Sequence, residues 1–283
     1  MWWLEQSRRL VAHVKCCSAA LLRFQSTRLA SLRAGLLHTP AVRISIVLPA
    51  FNEEKLIGAT LQAVHSAREA FTAVGWESEV IVCDNNSTDR TGELARAAGA
   101  KVVFEPVNQI ARARNSGAAA ATGDWLVFVD ADSHVNRELL ADVAEVIRGG
   151  RHLAGGCTIR LDHAPWWTGF FVHGWTTVSR LLHWAAGSFI FVEAAAFRAV
   201  GGFNQALYAT EEIDLSQRLN RLARQRKLQP LRILTRHPLL TSARKAHLYT
   251  PWEHVRFLLK TAFSLGRSLG HRDACPIWYD GRR

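Results

Sequence analysis

The stretch WLVFVDADSH, residues 125–134, decides how this chain is read. It opens on a continuous apolar run, rich in β-branched and aromatic residues, and then places two acids two positions apart. Such a run suits a strand covered on both faces, as in a parallel sheet. Residues i and i+2 of an extended segment point the same way, so Asp130 and Asp132 aim at one point just past the strand. Two carboxylates held together repel and call for a cation or a shared proton. Their hard oxygens suit Mg2+ or Mn2+. An isolated Asp-x-Asp is also ordinary turn chemistry, with Asp132 or Ser133 capping the next helix.

Working outward, the chain alternates strands and helices from residue 43. RISIVLPA (43–50), SEVIVCD (78–84), KVVFE (101–105) and WLVFVD (125–130) read as strands, and LRILTR (231–236) is strand-like. Between them, NEEKLIGATLQAVHSAREAF (52–71) reads as a helix with Asn52 as N-cap and acids in its first turn. NNSTDRTGELARAAG (85–99) is a polar turn and a helix ending at Gly99, and QIARARNSGAAAATG (109–123) is a helix stopped by Gly123. NRELLADVAEVIRGG (136–150) is the next helix. This alternation implies a parallel sheet with helices on both faces. Glu53, Asp84, Asp130 and Asp132 all follow strand ends. Carboxyl ends of parallel strands are where open α/β sheets bind ligands, and turn preference alone does not gather acids on one edge. The first strand is followed by PAFNEE, with neither G-x-G-x-x-G nor a G-x-x-x-x-G-K-[ST] loop anywhere. Phosphates, if bound, are held by metal and cationic side chains.

The 283 residues carry a net charge of +11 and a pI near 10.1, which suits an anionic partner: a nucleoside diphosphate, nucleic acid or an acidic membrane. Up to Asn52 the only acid is Glu5. Residues 1–41 read as a basic N-terminal extension, either an amphipathic surface helix, a transit-like segment or chain outside the fold. The most apolar region, 164–192, is broken by Pro165, Arg180 and glycines. It is read as core or as a lip touching lipid or another hydrophobic surface, not as a membrane span. Its Trp166, Trp167 and Trp175 stack on a sugar, meet a lipid interface or fill core. The five cysteines show no C-x-x-C spacing, as in a reduced, cytoplasmic protein.

Four ordered motifs carry a family resemblance: VLPAFNEE (47–54), CDNNSTDRT (83–91), ARARNSGAAAATGDWLVFVDAD (111–132) and GGFNQALYATEEIDLSQRL (201–219). Together they resemble the family-2 glycosyltransferases. The resemblance implies one α/β domain of the GT-A, Rossmann-like fold with a mostly parallel central sheet over 42–247. Residues 42–135 would be its nucleotide-binding half and 136–247 its acceptor-binding half, with a helical C-terminal segment at 248–283. It implies a nucleotide-sugar donor (a UDP-sugar is the expected class), Mn2+ or Mg2+, and inversion at the anomeric carbon. By position, Pro49, Glu53 and Asp84 would line the base and ribose pocket. Asp130 would face ribose or metal, and Asp132 would bind the metal bridging the diphosphate. Arg112 or Arg114 would sit near the nucleotide. His237 falls where some relatives place a third metal ligand, and Arg244 and Lys245 would reach the diphosphate. Relatives usually carry Glu-Asp where this chain has Glu211-Glu212. Glu212 takes the general-base position, one methylene longer, with Glu211 beside it. The acceptor would be a glycan, a lipid-linked or a small-molecule hydroxyl, not nucleic acid. The expected setting is cytoplasmic, with peripheral contact at the inner face of an anionic membrane.

Two other readings compete. An aspartyl-phosphate phosphohydrolase would use Asp130 as nucleophile and Asp132 as acid, although that class places the motif on its first strand. A non-catalytic basic protein would bind nucleic acid or membrane by charge alone, without gathering acids on one sheet edge.

Overall fold

In a computed structural model the described residues are 42–250, 252, 253, 256, 267–275 and 279, the side chains of Lys245, Arg267 and Ser268 excepted. The N-terminal extension therefore lies outside the described residues.

Strand β1 (Arg43–Ala50) pairs in parallel with β2 (Glu77–Asp84), which pairs in parallel with β3 (Lys101–Phe104). On its other side β1 pairs in parallel with β4 (Trp125–Val129). β1, β2 and β4 are buried on both faces along most of their length, with Ile44, Val47, Val82 and Phe128 fully inaccessible, whereas β3 at the sheet edge is partly exposed. That is why they read as continuous rather than alternating. Helices α1 (Ile57–Ala67), α2 (Glu69–Thr72), α3 (Thr91–Ala97) and α4 (Ile110–Ala119) fill the crossovers. Beyond β4 come the short β5 (Ser133–His134), α5 (Arg137–Gly149), β6 (Ala154–Asp162), α6 (Thr168–Leu182), β7 (Phe189–Glu193), α7 (Ala194–Ala199), α8 (Glu211–Gln225), β8 (Arg232–Ser242) and α9 (Arg244–Leu248). The eight strands lie in the order β3-β2-β1-β4-β7-β6-β8-β5. Here β7 runs antiparallel to β4 and β6, and β5 antiparallel to β8, so the sheet is mixed, with the parallel pairings gathered mainly in its first half.

The chain steps from β1 to β2 in one direction and from β1 to β4 in the other, which makes the β1/β4 boundary the switch point where such sheets bind ligands. Pairing of β1 with β4 stops at Val47, whereas pairing with β2 continues to Ala50. Pro49 lies just past that stop. The carbonyl of Ala50 accepts from Asn85 beyond β2, and that of Arg43 accepts from Asp124 beside β4. Backbone polar groups of a parallel strand turn alternately to its two neighbours. Pro49 therefore faces β4, where its missing N–H costs no ladder bond. The strands part there.

Several boundaries differ from those expected. The first helix begins at Ile57, not after Asn52. Asn52 is left-handed (φ 52°), and its Oδ1 accepts the Thr88 amide at 2.8 Å. The Glu53 amide donates to Thr91 Oγ1 at 2.7 Å. Residues 52–54 thus form a loop bonded to the turn after β2, because these distant partners take the groups that a first helical turn would use. Helix α4 ends at Ala119, before Gly123. Gly123 is needed for another reason: a Cβ there would lie 2.7 Å from the backbone of Ser45. Asn136 does cap α5, accepting from the Leu139 amide at 2.7 Å, and Gly150 ends it at φ 60°. The strand expected at 231–236 continues to Ser242 through an irregularity opposite Cys157–Ile159.

Candidate active site

Two clefts open on either side of Asp130. The first, of about 620 Å3, is lined by Pro49, Ala50, Phe51, Glu53, Asn85, Asn108, Ile110, Asp130, Ala131, Asp132, Arg244 and Tyr279. The parted ends of β1 and β4 supply its floor. Arg244, just past β8, donates to Glu53 twice, from Nη1 at 2.9 Å and Nη2 at 2.6 Å. Its Nη2 also lies 3.6 Å from Asp132 Oδ2. One guanidinium thus bridges two carboxylates that the sequence places 79 residues apart (132 − 53). Bidentate pairs of this kind are strong and directional. Bonding to Glu53 raises the pKa of Arg244 against its partial burial.

The second cleft, of about 1060 Å3, is walled by Arg114, Asp130, Trp175, Gly187, Thr210, Glu211, Glu212 and their neighbours. Arg114 is its anchor. It is 1% exposed and lies 5.1 Å over the Phe203 ring. Its Nη1 donates to Glu211 at 2.7 Å, and its Nη2 donates to Asp130 at 3.0 Å and to the Gly187 carbonyl at 2.8 Å. Burial works against its charge, but Asp130, Glu211 and Glu212 outweigh burial and hold it protonated. Glu211 and Glu212 open α8. Glu211 is buried against Arg114, while Glu212 is half-buried on the cleft wall. Burial first, and then the Glu211 charge, push the Glu212 carboxyl up to about 8, with Arg114 pulling the other way. A carboxyl raised this far sits in the range useful for proton transfer near neutral pH.

Pro49, Glu53, Asp130, Asp132 and Arg244 are thus brought together, and Glu211 and Glu212 share the second cleft with Asp130. Three expected residues are not among those lining either cleft. Asp84 accepts from the Ser87 amide at 3.0 Å and sits over Gly92, where any Cβ would crowd it, so Asn85 forms the cleft wall instead. Arg112 bonds Gln109 at 3.1 Å. Two residues apart on a helix means roughly opposite faces, at about 100° per residue, and Arg114 holds the inward one. His237 lies in the irregular part of β8, 3.1 Å from Asp142 on α5, which also binds Arg236. It is therefore not gathered with Asp132. Among the described residues no group of three or more His, Cys, Asp or Glu comes together around a metal-sized site. The side chain of Lys245 lies outside the described residues.

Tyr279 escaped the sequence reading. Its hydroxyl accepts the Ile110 amide at 3.3 Å, and its ring meets Tyr208 edge-on at 5.4 Å. Tyr208 in turn donates to the Leu269 carbonyl at 2.7 Å. A C-terminal segment thereby contributes to the first cleft. A single Tyr, some 150 residues from the nearest motif of that cleft's floor, carries no local signal (279 − 129).

Residues 45–182 match the family model described as glycosyl transferase family 2. This is a family-2 glycosyltransferase domain. An uncharacterized glycosyltransferase of Mycobacterium tuberculosis is 32% identical over 130 residues, covering 44% of this chain and 53% of that protein. The chain thus spans about half the length of that curated relative. Among solved structures, a mannosyltransferase from Pyrobaculum calidifontis in complex with GDP-Man and Mn2+ has a TM-score of 0.58 at 19% identity, covering 88% of this chain and 72% of that one. TarS residues 1–349 of S. aureus in complex with UDP-GlcNAc has a TM-score of 0.55 at 20% identity, covering 71% and 58%. At such identities the likeness is one of fold, and the fold of the glycosyltransferase domain is GT-A. With the family known, neither a phosphohydrolase nor a charge-only binding protein accounts for this arrangement. Asp130, the nucleophile of the first alternative, is held by buried Arg114.

Proposed function

We propose that the chain moves a sugar from a nucleoside-diphosphate sugar to an acceptor hydroxyl, with inversion at the anomeric carbon. One observation carries the reading: a cleft walled by Glu53, Asp132 and Arg244 meets a second cleft walled by Glu212, with Asp130 common to both. Donor in the first and acceptor in the second would bring the reacting atoms together beside Asp130. The GDP-Man and UDP-GlcNAc complexes of the two fold neighbours support a nucleotide-sugar donor, and a UDP-sugar is the class we favour.

The first cleft fits a divalent cation. Its carboxylates are hard oxygen ligands, few in number, and a guanidinium already balances them. Mg2+ and Mn2+ bind through one or two carboxylates with substrate phosphates completing the shell. Asp132 and Asp130 would hold the ion. When bound, it supplies positive charge to the departing nucleoside diphosphate. Arg244 would add a fixed cation on the same side once it turns from Glu53 to the diphosphate. Pro49 and Asn85 would flank the nucleoside. Arg114 ties down both Asp130 and Glu211, so it positions the site without touching the reacting atoms. Glu212 is left to take the acceptor proton as the sugar–oxygen bond forms, and its raised proton affinity suits that role. The acceptor would be a glycan, a lipid-linked or a small-molecule hydroxyl.

Glu212→Gln tests the reading, since it keeps shape and removes proton affinity. Donor binding should hold while transfer falls about 10²–10⁴-fold. Glu212→Asp, restoring the Glu-Asp pair of relatives, should keep substantial activity. EDTA should abolish transfer and Mn2+ restore it. Wild-type rates in Glu212→Gln with a dead Glu211→Gln would move the base to Glu211, and two active variants would put the chemistry elsewhere.

A further inference from the structure

Helix α6 is inside out. The buried side chains on it are Thr168 and Ser179. Both are satisfied locally: Thr168 donates to the Pro165 carbonyl at 2.7 Å and Ser179 to the Trp184 carbonyl at 2.6 Å. Facing solvent are Phe170 (82% exposed) and Leu181 (72%), with Trp166 just before the helix at 93%. Val178 and Leu182 are also exposed. At about 100° per residue Trp166, Phe170, Val178 and Leu181 fall on one side. A helix packed on a globular core turns its apolar side inward. Here it is turned out, and a contiguous exposed apolar face marks an interaction surface.

The surrounding charge selects the occupant. From His163 to Val192 the chain has no carboxylate. At the C-terminal end of α6 a pocket of about 710 Å3 is lined by His152, Arg180, His183 and Arg232, with uncharged neighbours and no acid. Both imidazoles are held by backbone carbonyls, His152 by that of Pro230 at 2.7 Å and His183 by that of Leu231 at 3.0 Å. Aromatic and aliphatic side chains flanked by cations match the acyl boundary and phosphate layer of an anionic bilayer. A second copy of the same face would bring like charges together, which opposes self-association. We propose that α6 lies on an anionic phospholipid surface, with Trp166, Phe170 and Leu181 inserted and Arg180 and Arg232 at the headgroup phosphates. Trp175, on the opposite side of the same helix, lines the cleft that holds Glu212. This is a peripheral attachment, and among the described residues no helix is long and apolar enough to cross a membrane.

The test uses the full chain and sedimenting vesicles without donor, so its outcome is separate from that of the transferase reading. The protein should pellet with phosphatidylcholine vesicles containing phosphatidylglycerol and stay in solution with phosphatidylcholine alone. Phe170→Ser with Leu181→Ser should weaken pelleting at least about tenfold, with an unchanged melting temperature because neither side chain is buried. Arg180→Glu with Arg232→Glu should remove the preference for anionic lipid. Wild-type pelleting of the Phe170→Ser/Leu181→Ser variant would overturn the proposal, since attachment would then lie elsewhere. So would a dimer in sedimentation velocity that the apolar variant dissolves, with no vesicle binding by the wild type.

Discussion

The two halves of the domain are held together by different forces. In residues 42–135, parallel strands bury continuous apolar runs between covering helices, and the polar links range from the exposed pair of Arg43 and Glu77 to the buried bond from the Gly123 amide to Ser45. Residues 136–247 add antiparallel strands and join the first half through the β4–β7 ladder, to which α4 and the residue before it add directional side-chain bonds. Gln109 donates to the carbonyls of Gln205 and Leu207 at 2.8 and 2.9 Å. Asn115 and Phe203 exchange two bonds of 2.9 Å. Arg114 holds Glu211. Apolar burial is non-directional and tolerates small shifts, whereas these bonds fix angles and are costly to lose. The second cleft therefore leans on these directional bonds as well as on the sheet.

The largest effect should come from cutting that attachment. Arg114→Met would leave Glu211 and Asp130 without their counter-charge, and urea titration should show a loss of about 3–5 kcal/mol. Adding Glu211→Gln should recover part of it, because the two residues act as one unit. A loss within about 0.5 kcal/mol, the ordinary range for surface changes, would break the contrast between the halves. Next is the pH profile. Glu212 has a raised pKa, so it is protonated at low pH and serves as a base only as pH climbs towards about 8. Below that point kcat/KM should fall roughly tenfold per pH unit, and above it should level off. Glu212→Gln should flatten this limb. A wild-type profile flat from acid to alkaline pH would remove Glu212 as base. The smallest effect belongs to a helix cap. Asn136→Ala removes the acceptor for the Leu139 amide and should cost about 1 kcal/mol in the same titration, with no change in the pH profile.

The first half was legible because its signals are local. Continuous apolar strands, Gly99 at a helix end, and acids after strand ends each follow from a few neighbouring residues. Glu53, Asp130, Asp132 and Arg244 do meet, as that reading requires. What failed was the choice among equivalent chemistries. Arg112 and Arg114 look alike in sequence, and only packing against Phe203 and Glu211 selects Arg114. His237 ends a run that resembles a finished strand, but β8 continues past it and hands it to Asp142. Asn52 has the residue type of a cap, yet a more distant partner, Thr88, claims its side chain. Tyr279 reaches the cleft only through packing on Tyr208 and Ile110. The sequence pattern speaks for periodic burial and is silent on bonds spanning a hundred residues.

Pro49 bears on how long the first cleft lasts. A gap between two strands usually invites closure, since each amide along it gains by finding a carbonyl opposite. On the β1 side of this gap the next tooth of the zipper is a proline, which has no hydrogen to offer. When a ligand departs, β1 and β4 gain one ladder bond fewer by drawing together there. The opening is a resting property of the backbone, so an incoming molecule finds it already made and need not spend binding energy prising the sheet apart.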